Sequence, residues 1–573
     1  MKIDQGVLDA DVFIQLLCNA PKNIFDGAVM EILILITDTT SINAISATPP
    51  AKMRSASKTA FNKRVISPSS NFQLASMSNI VMKNSWMSDS DSSCGPPEAP
   101  FSDSDTSETG NIEHLRTESW GPAEFHHNRG VSELKKHFDL RFVKEGYDVE
   151  GLMREMAEGS EDQEAFFVVD LAMVLNKLKV WKELMPRVKP FYAVKCNNDA
   201  AICRLLASAG CGFDCASQAE IEQIMAMGVT SDRIIYANPC KQASMLRFAR
   251  ANEVRLMTAD NVEELRKIQK LFPEARIIIR IAVDDSKSVC RFNSKFGAPP
   301  REWDALLSTA RELSLDIEGF SFHVGSGCGD LQPFADAVAS ARDAFELARS
   351  YGFSPSLLDV GGGYPGHDGG NLRFEDVART VSGALEKHFP AGCGVEVIAE
   401  PGRYMCSASH SYAVAVIAKR ALSASQLADA GEIESFGARP GKEADAQAEN
   451  QFSGGHGHGE GADAPAAARQ AEVALYINDG VYGSFNCVVF DHAVVTARPL
   501  VRAVANNSKG GVVGTKLFGP TCDSIDVVAG CAELPEMAVG DWLCFRDMGA
   551  YTRCAASRFN GQGAHSVHYL WAA

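Results

Sequence analysis

Eight short apolar runs, each closing in a polar or glycine-rich turn, recur through the chain at 190–198, 211–217, 233–239, 254–260, 275–282, 317–325, 357–363 and 396–402. The first five starts fall 21, 22, 21 and 21 residues apart, and the later spacings are about twice that. The gaps hold helix-like patterns, as at 219–225, where Ile221, Ile224 and Met225 recur among glutamates. A strand followed by a helix re-enters its sheet in the same direction, so strands that alternate with helices build a parallel sheet. Eight of them specify a closed (β/α)8 barrel. In a barrel of this kind the chemistry gathers at the C-terminal ends of the strands. Those ends carry Lys195, Asp214, His323, the triplet Gly361, Gly362 and Gly363, and Glu400.

After Gly402 the pattern changes to short β-like runs at 473–477, 487–491, 511–518 and 542–545, broken by Gly, Pro and Asp. This predicts an antiparallel β-sandwich domain following the α/β domain. With 573 residues, 46% of them hydrophobic, two folded domains plus unstructured segments are expected. The expected division is a disordered extension over 1–125, an N-terminal part of the sandwich over 126–165, the barrel over 166–405, and the sandwich over 406–573. A disordered insertion at 420–470 interrupts the last of these. It includes His456 and His458 in a glycine tract, read as a surface insertion rather than a metal site.

A net charge of -17 argues against nucleic acid as a partner. No apolar run approaches the ~20 residues of a membrane span. The 16 cysteines lack paired CxxC spacing, which favours reduced thiols in a reducing compartment. The segment 41–88 is rich in serine and contains no acidic residue, like a transit peptide. A cytoplasmic location is expected, with an organelle as the alternative if translation begins at Met53.

Lys195 closes the apolar run 190–198. A lone lysine after a strand can simply snorkel to solvent, but an amine at a barrel's functional face can also condense with an aldehyde, as in pyridoxal phosphate enzymes. The other strand ends supply the rest of such a site. His323 could lie flat on the cofactor ring or be a core histidine. The glycine triplet could close backbone N–H groups on a phosphate or be only a tight turn. Glu400 could pair with the pyridine nitrogen and Arg403 with the phosphate, or the two could form a salt bridge.

The motifs Asp214-Cys215-Ala216-Ser217, Tyr236-Ala237-Asn238-Pro239-Cys240-Lys241, His323-Val324-Gly325-Ser326-Gly327, Glu400-Pro401-Gly402-Arg403 and Gly519-Pro520-Thr521-Cys522-Asp523, with the run 190–198, together resemble the eukaryotic ornithine decarboxylases. The resemblance extends over roughly 133–569, apart from the insertion. It implies a pyridoxal 5'-phosphate barrel joined to a β-sandwich, acting as a homodimer with shared active sites. By position, Lys195 resembles the family's aldehyde-binding lysine, His323 its ring-stacking histidine and Glu400 its pyridine-nitrogen partner. Ser326, Gly363, Gly402, Arg403 and Tyr551 fall at the phosphate end, and Asp214 and Arg280 near the cofactor. Cys522 matches the thiol that returns a proton after carbon dioxide leaves, and Asp491 and Asp523 the carboxylates that take the substrate's distal ammonium. One departure is Phe490, where the family usually has tyrosine.

The resemblance implies decarboxylation of L-ornithine to putrescine, the first step of polyamine synthesis. Decarboxylation of lysine, arginine or diaminopimelate is the neighbouring alternative. An inactive homologue that binds the family's regulatory protein, antizyme, is the non-enzymatic one. Lys195, Cys522 and Asp523 speak against the last, because a docking protein has no chemical need for all three.

Overall fold

In several barrel strands the inward row of side chains changes from apolar to polar towards the C-terminal end, and this change is what places the site. The computed structural model describes residues 127–367, 372–423, 471–501, 511–563 and 565–572. The extension over 1–125, the transit-peptide-like stretch and the tract with His456 and His458 lie outside these residues. The barrel strands are β1 (Val188–Ala193), β2 (Gly212–Cys215), β3 (Ile234–Tyr236), β4 (Leu256–Ala259), β5 (Arg276–Arg280), β6 (Asp316–Ser321), β7 (Leu357–Asp359) and β8 (Glu396–Ala399). They pair in parallel in chain order, and β8 returns to β1 to close the barrel.

Phe191, Ile235, Leu256, Ile278, Leu357 and Ile398 form a buried cluster of their own, the inward layer of the barrel. Side chains alternate between faces along a strand, so two residues further on the same row reaches Ala193, Thr258, Arg280, Asp359 and Glu400. The outward row packs under the helices. Gln332–Ser350, for instance, buries Phe334, Ala337, Val338, Ala341, Ala344, Phe345 and Ala348 on one face. Local capping fixes where the helices begin. Ser217 Oγ accepts the Glu220 N–H at 3.3 Å, and Glu220 Oε2 accepts the Ala216 N–H at 2.5 Å. This pair, a capping box shifted one residue towards the N-terminus, ends the turn just beyond Asp214.

The double spacing between β5 and β6 comes from an excursion rather than a longer helix. Residues 281–299 fold over the mouth of the barrel, where Ser288–Cys290 pairs antiparallel with Ser326–Cys328. The helix Pro300–Glu312 then completes the unit.

The second sheet has nine strands and is mixed rather than purely antiparallel. Leu140–Val143 runs parallel to Ser566–Ala572, Ser566–Ala572 to Phe166–Asp170, and Val473–Ile477 to Val513–Phe518. At its centre the long strand His410–Ala421 pairs antiparallel with three neighbours. Phe166–Asp170 therefore belongs to this sheet, and the barrel's own elements start with the helix Leu171–Leu184. Phe167 stacks on Tyr412 across the strand pair, with ring centroids 4.0 Å apart.

The run 487–491, read as β-like, is instead covered by a short helix, Asn486–Phe490, with Asp491 at its C-cap. β-branched valines favour a strand, but here side chains override them. Asp479 accepts the Gly480 and Ser484 N–H groups, and the Asn486 amide donates to Gly483 O and Thr552 O, so the chain coils. Among the described residues, no helix is long and apolar enough to cross a membrane.

Candidate active site

The C-terminal ends of the barrel strands surround a cavity of about 430 Å³. Lys195 stands in a single turn of 3-10 helix after β1 and points its amine into this space. Its Nζ donates to Asp214 Oδ2 at the end of β2. Burial works against a charged amine here, yet Asp214 and then Glu400 hold the Lys195 pKa above its ordinary range. Asp214 is fully buried; burial raises its pKa, while Lys195 and Arg280 oppose the shift.

Three carboxyls crowd this floor, each pushed up foremost by burial. Asp359 reaches about 7, and Glu400 is raised well above its usual value, with Asp359 and Asp214 adding to the effect. Glu400 Oε1 is buried without a hydrogen-bond partner, although a buried polar atom is normally satisfied. Glu400 lines the cavity, and among the described residues its Oε1 shares this lack of a partner with Asp214 Oδ1 and Asp359 Oδ2, so the floor holds more acceptor capacity than donors. Arg280, at the end of β5, offsets part of this negative charge and lies 5.4 Å from the Phe296 ring.

His323 follows β6. Its Nδ1 accepts the Gly325 N–H at 3.0 Å, which leaves the imidazole neutral, and burial together with Arg280 and Lys195 keeps its pKa well below the usual value. Phe292 of the excursion meets the ring edge-on at 4.9 Å. The result is a neutral aromatic plate on the cavity wall.

The opposite end suits an anion. Gly363 has φ +94°, and a Cβ there would run into the Gly325 carbonyl oxygen. Arg403 Nη2 donates to Ser326 Oγ at 2.9 Å and to Asp491 Oδ1 at 2.7 Å. The Tyr551 ring lies 5.1 Å from the guanidinium, and the Tyr551 N–H bonds to Cys196 O, next to Lys195. Gly402 allows β8 to approach β1, since a Cβ there would fall 2.7 Å from Cys196 Cβ.

Of the thirteen residues given a role by the family resemblance, eleven line the cavity or bond directly to a residue that does. Cys522 and Asp523 do not. They lie on the loop after Val513–Phe518, where Cys522 is exposed and Asp523 Oδ2 accepts the Tyr482 hydroxyl at 2.5 Å. Asp491 is in the cavity but is paired with Arg403. Sequence reading missed Asp359, although its place two residues after Leu357 puts it in the inward row. It also missed Cys290, Phe292 and Phe296, which reach the cavity from the excursion and carry no motif.

An amine, an unpartnered buried acceptor, a neutral aromatic plate and a glycine, serine and arginine cradle match the aldehyde, pyridine nitrogen, ring and phosphate of one cofactor. Barrel and site together define a pyridoxal 5'-phosphate-dependent enzyme. Residues 171–407 match the pyridoxal binding domain of pyridoxal-dependent decarboxylases, and 453–549 match their C-terminal sheet domain. Ornithine decarboxylase of Mus musculus is 41% identical over 439 residues, spanning 76% of this chain and 87% of that protein. Antizyme inhibitor 2 of Xenopus laevis is 43% identical over 434 residues, spanning 75% and 87%. The crystal structure of Paramecium bursaria Chlorella virus arginine decarboxylase bound to agmatine superposes with a TM-score of 0.62 at 30% identity, covering 74% of this chain and all of that one. The chain belongs to the pyridoxal-dependent decarboxylase family.

Proposed function

We propose that the protein decarboxylates L-ornithine to putrescine, as a homodimer in which each cavity is completed by the partner's Cys522 and the partner's Asp523. The observation that carries this reading is a single cavity holding Lys195, the buried Glu400 carboxyl with its unpartnered Oε1, and a second carboxylate, Asp491, at the anion end. Bound there, pyridoxal 5'-phosphate supplies an electron sink for the pair left behind when carbon dioxide departs. Lys195 would hold the cofactor by its aldehyde until the substrate's α-amine takes its place. Glu400, buried at the cavity floor, would accept the pyridine N–H. The neutral His323 ring fixes the cofactor plane, while Ser326, Gly363, Arg403 and Tyr551 hold the phosphate.

With the cofactor bound, Arg403 would turn from Asp491 to the phosphate, and the Asp491 carboxylate would be left for the substrate's distal ammonium. A diamine-forming substrate needs an anion opposite the reacting carbon, and Asp491 with the partner's Asp523 answers that need. The exposed Cys522, outside the cavity of its own chain, supports a site completed across an interface. A reducing compartment, the cytoplasm, belongs to the same reading.

The likeness to antizyme inhibitor 2 favours one second reading, an inactive protein that binds antizyme. Against it stand Lys195 with its Asp214 partner and the poised Glu400, none of which docking requires. The test is turnover of the purified, cofactor-loaded protein on ornithine, lysine, arginine and diaminopimelate, read as carbon dioxide and amine product. Putrescine from ornithine in clear preference to the other products is expected. Absence of every amine product, with antizyme bound tightly, would select the second reading.

A further inference from the structure

We propose that Asn560 is a positioning residue for proton return: its side-chain oxygen holds the backbone of Cys522 and so aims the thiol. The proposal rests on the reading of Cys522 as the proton donor. Asn560 lies in the short turn Phe559–Gly561 with φ +55° and ψ +20°, a left-handed conformation that few residues other than glycine, asparagine and aspartate adopt readily. From there its Oδ1 accepts the Cys522 N–H at 3.2 Å.

The loop around Cys522 is held at its shoulders by another residue. The buried Asp526 carboxylate accepts the Thr521 N–H at 3.1 Å and the Thr521 hydroxyl at 2.7 Å, and the Gly519 N–H bonds to Asp526 O. None of these bonds reaches Cys522, and the Asn560 amide supplies the tie at that point. Asn560 is itself well anchored. The Ser557 N–H and hydroxyl both donate to Tyr482 O, at 2.8 and 3.0 Å, and the Phe559 ring packs 4.4 Å from Tyr482. Tyr482 in turn bonds Asp523, so thiol and substrate carboxylate are referred to one frame.

The chemistry makes aim matter. When the bond to the carboxylate breaks, its electron pair stays on the substrate carbon and becomes a C–H bond with the proton from the Cys522 S–H. The thiolate left behind is reprotonated from solvent. If the thiol is out of place, the pair would instead form a C–H bond at the cofactor's aldehyde carbon, with a proton drawn from the Lys195 ammonium or from solvent. Water then releases 4-aminobutanal, its oxygen going to the aldehyde and the nitrogen remaining on the cofactor.

The test uses the full chain in three variants. Asn560→Gly keeps the left-handed backbone and deletes the acceptor, Asn560→Asp keeps both, and Cys522→Ala is the control. Two readouts are taken: deuterium exchange of the peptide containing Cys522, without substrate, and the ratio of 4-aminobutanal to putrescine with ornithine. In Asn560→Gly, exchange at that peptide should quicken by roughly three- to ten-fold, as for loss of one modest hydrogen bond, and the aldehyde share should rise. Asn560→Asp should match the unsubstituted protein in both. Unchanged exchange or unchanged product ratio in Asn560→Gly, or equal defects in Asn560→Asp, would overturn the proposal. If Cys522→Ala itself leaves the ratio unchanged, the proton-donor reading fails, and the exchange data still report whether Asn560 holds the loop.

Discussion

Replacing Gly363 with alanine should weaken binding of the phosphorylated cofactor while leaving its unphosphorylated form alone. Gly363 has φ +94°, and a Cβ there meets the Gly325 carbonyl oxygen and lies 3.3 Å from Val324 Cγ2. Both contacts belong to the segment that joins His323 to Ser326, so the new methyl pushes the two halves of the anion cradle apart. Holding a non-glycine residue in such a conformation costs on the order of 1–3 kcal/mol. Where the empty loop relaxes to relieve that strain and the phosphate has to restore it, the cost appears as roughly 5- to 150-fold weaker affinity. The assay is titration of apoprotein with pyridoxal 5'-phosphate and, separately, with pyridoxal, followed by cofactor absorbance. The expected result is a loss for the first ligand and none for the second. Equal loss for both would place the damage at the ring or at Lys195, and no loss for either would refute the cradle.

Cys522→Ala should retain cofactor absorbance and lose putrescine formation by on the order of 10²–10⁴-fold, as removal of a general acid does; an unchanged rate measured by diamine release would point to another acid. Mixing inactive Lys195→Ala with inactive Cys522→Ala should restore activity towards about a quarter of the unsubstituted level, because random exchange makes about half the dimers mixed, each with one intact site of two. No recovery, with exchange confirmed by tagged subunits, would reject the shared site. His410 is wholly buried, and burial lowers its pKa from 6.5 to about 4. The unfolded chain therefore takes up this proton first as pH falls, and the native state should lose about 3 kcal/mol between pH 6.5 and 4. Denaturant melts across that window should show a smaller loss in His410→Gln, and an identical loss would contradict the assignment.

Much of the barrel was legible because a repeating strand and helix unit leaves its period in the sequence, and because strand ends carry polar groups only where function or a turn requires them. Lys195, Asp214, His323 and Glu400 were visible for that reason. The pair between Arg403 and Asp491 was not, since it joins a barrel strand end to the second domain across 88 residues of chain. Nor was the roof formed by 281–299, whose Phe292 and Phe296 look like ordinary core aromatics until the excursion turns them over the mouth. The helix Asn486–Phe490 was hidden because its valines spell a strand, while the hydrogen bonds that coil the segment come from Asp479, just upstream, and from Thr552, 66 residues beyond Asn486.

Lys195 is the residue on which the proposed chemistry depends most directly, because it carries the cofactor. Borohydride reduction of the loaded protein, followed by peptide mapping, measures this by converting the lysine linkage to the aldehyde into a stable secondary amine. The label is expected on the peptide containing Lys195 and absent from Lys195→Ala. Label on another lysine, or a protein that stays colourless and unlabelled with pyridoxal 5'-phosphate in excess, would contradict the assignment.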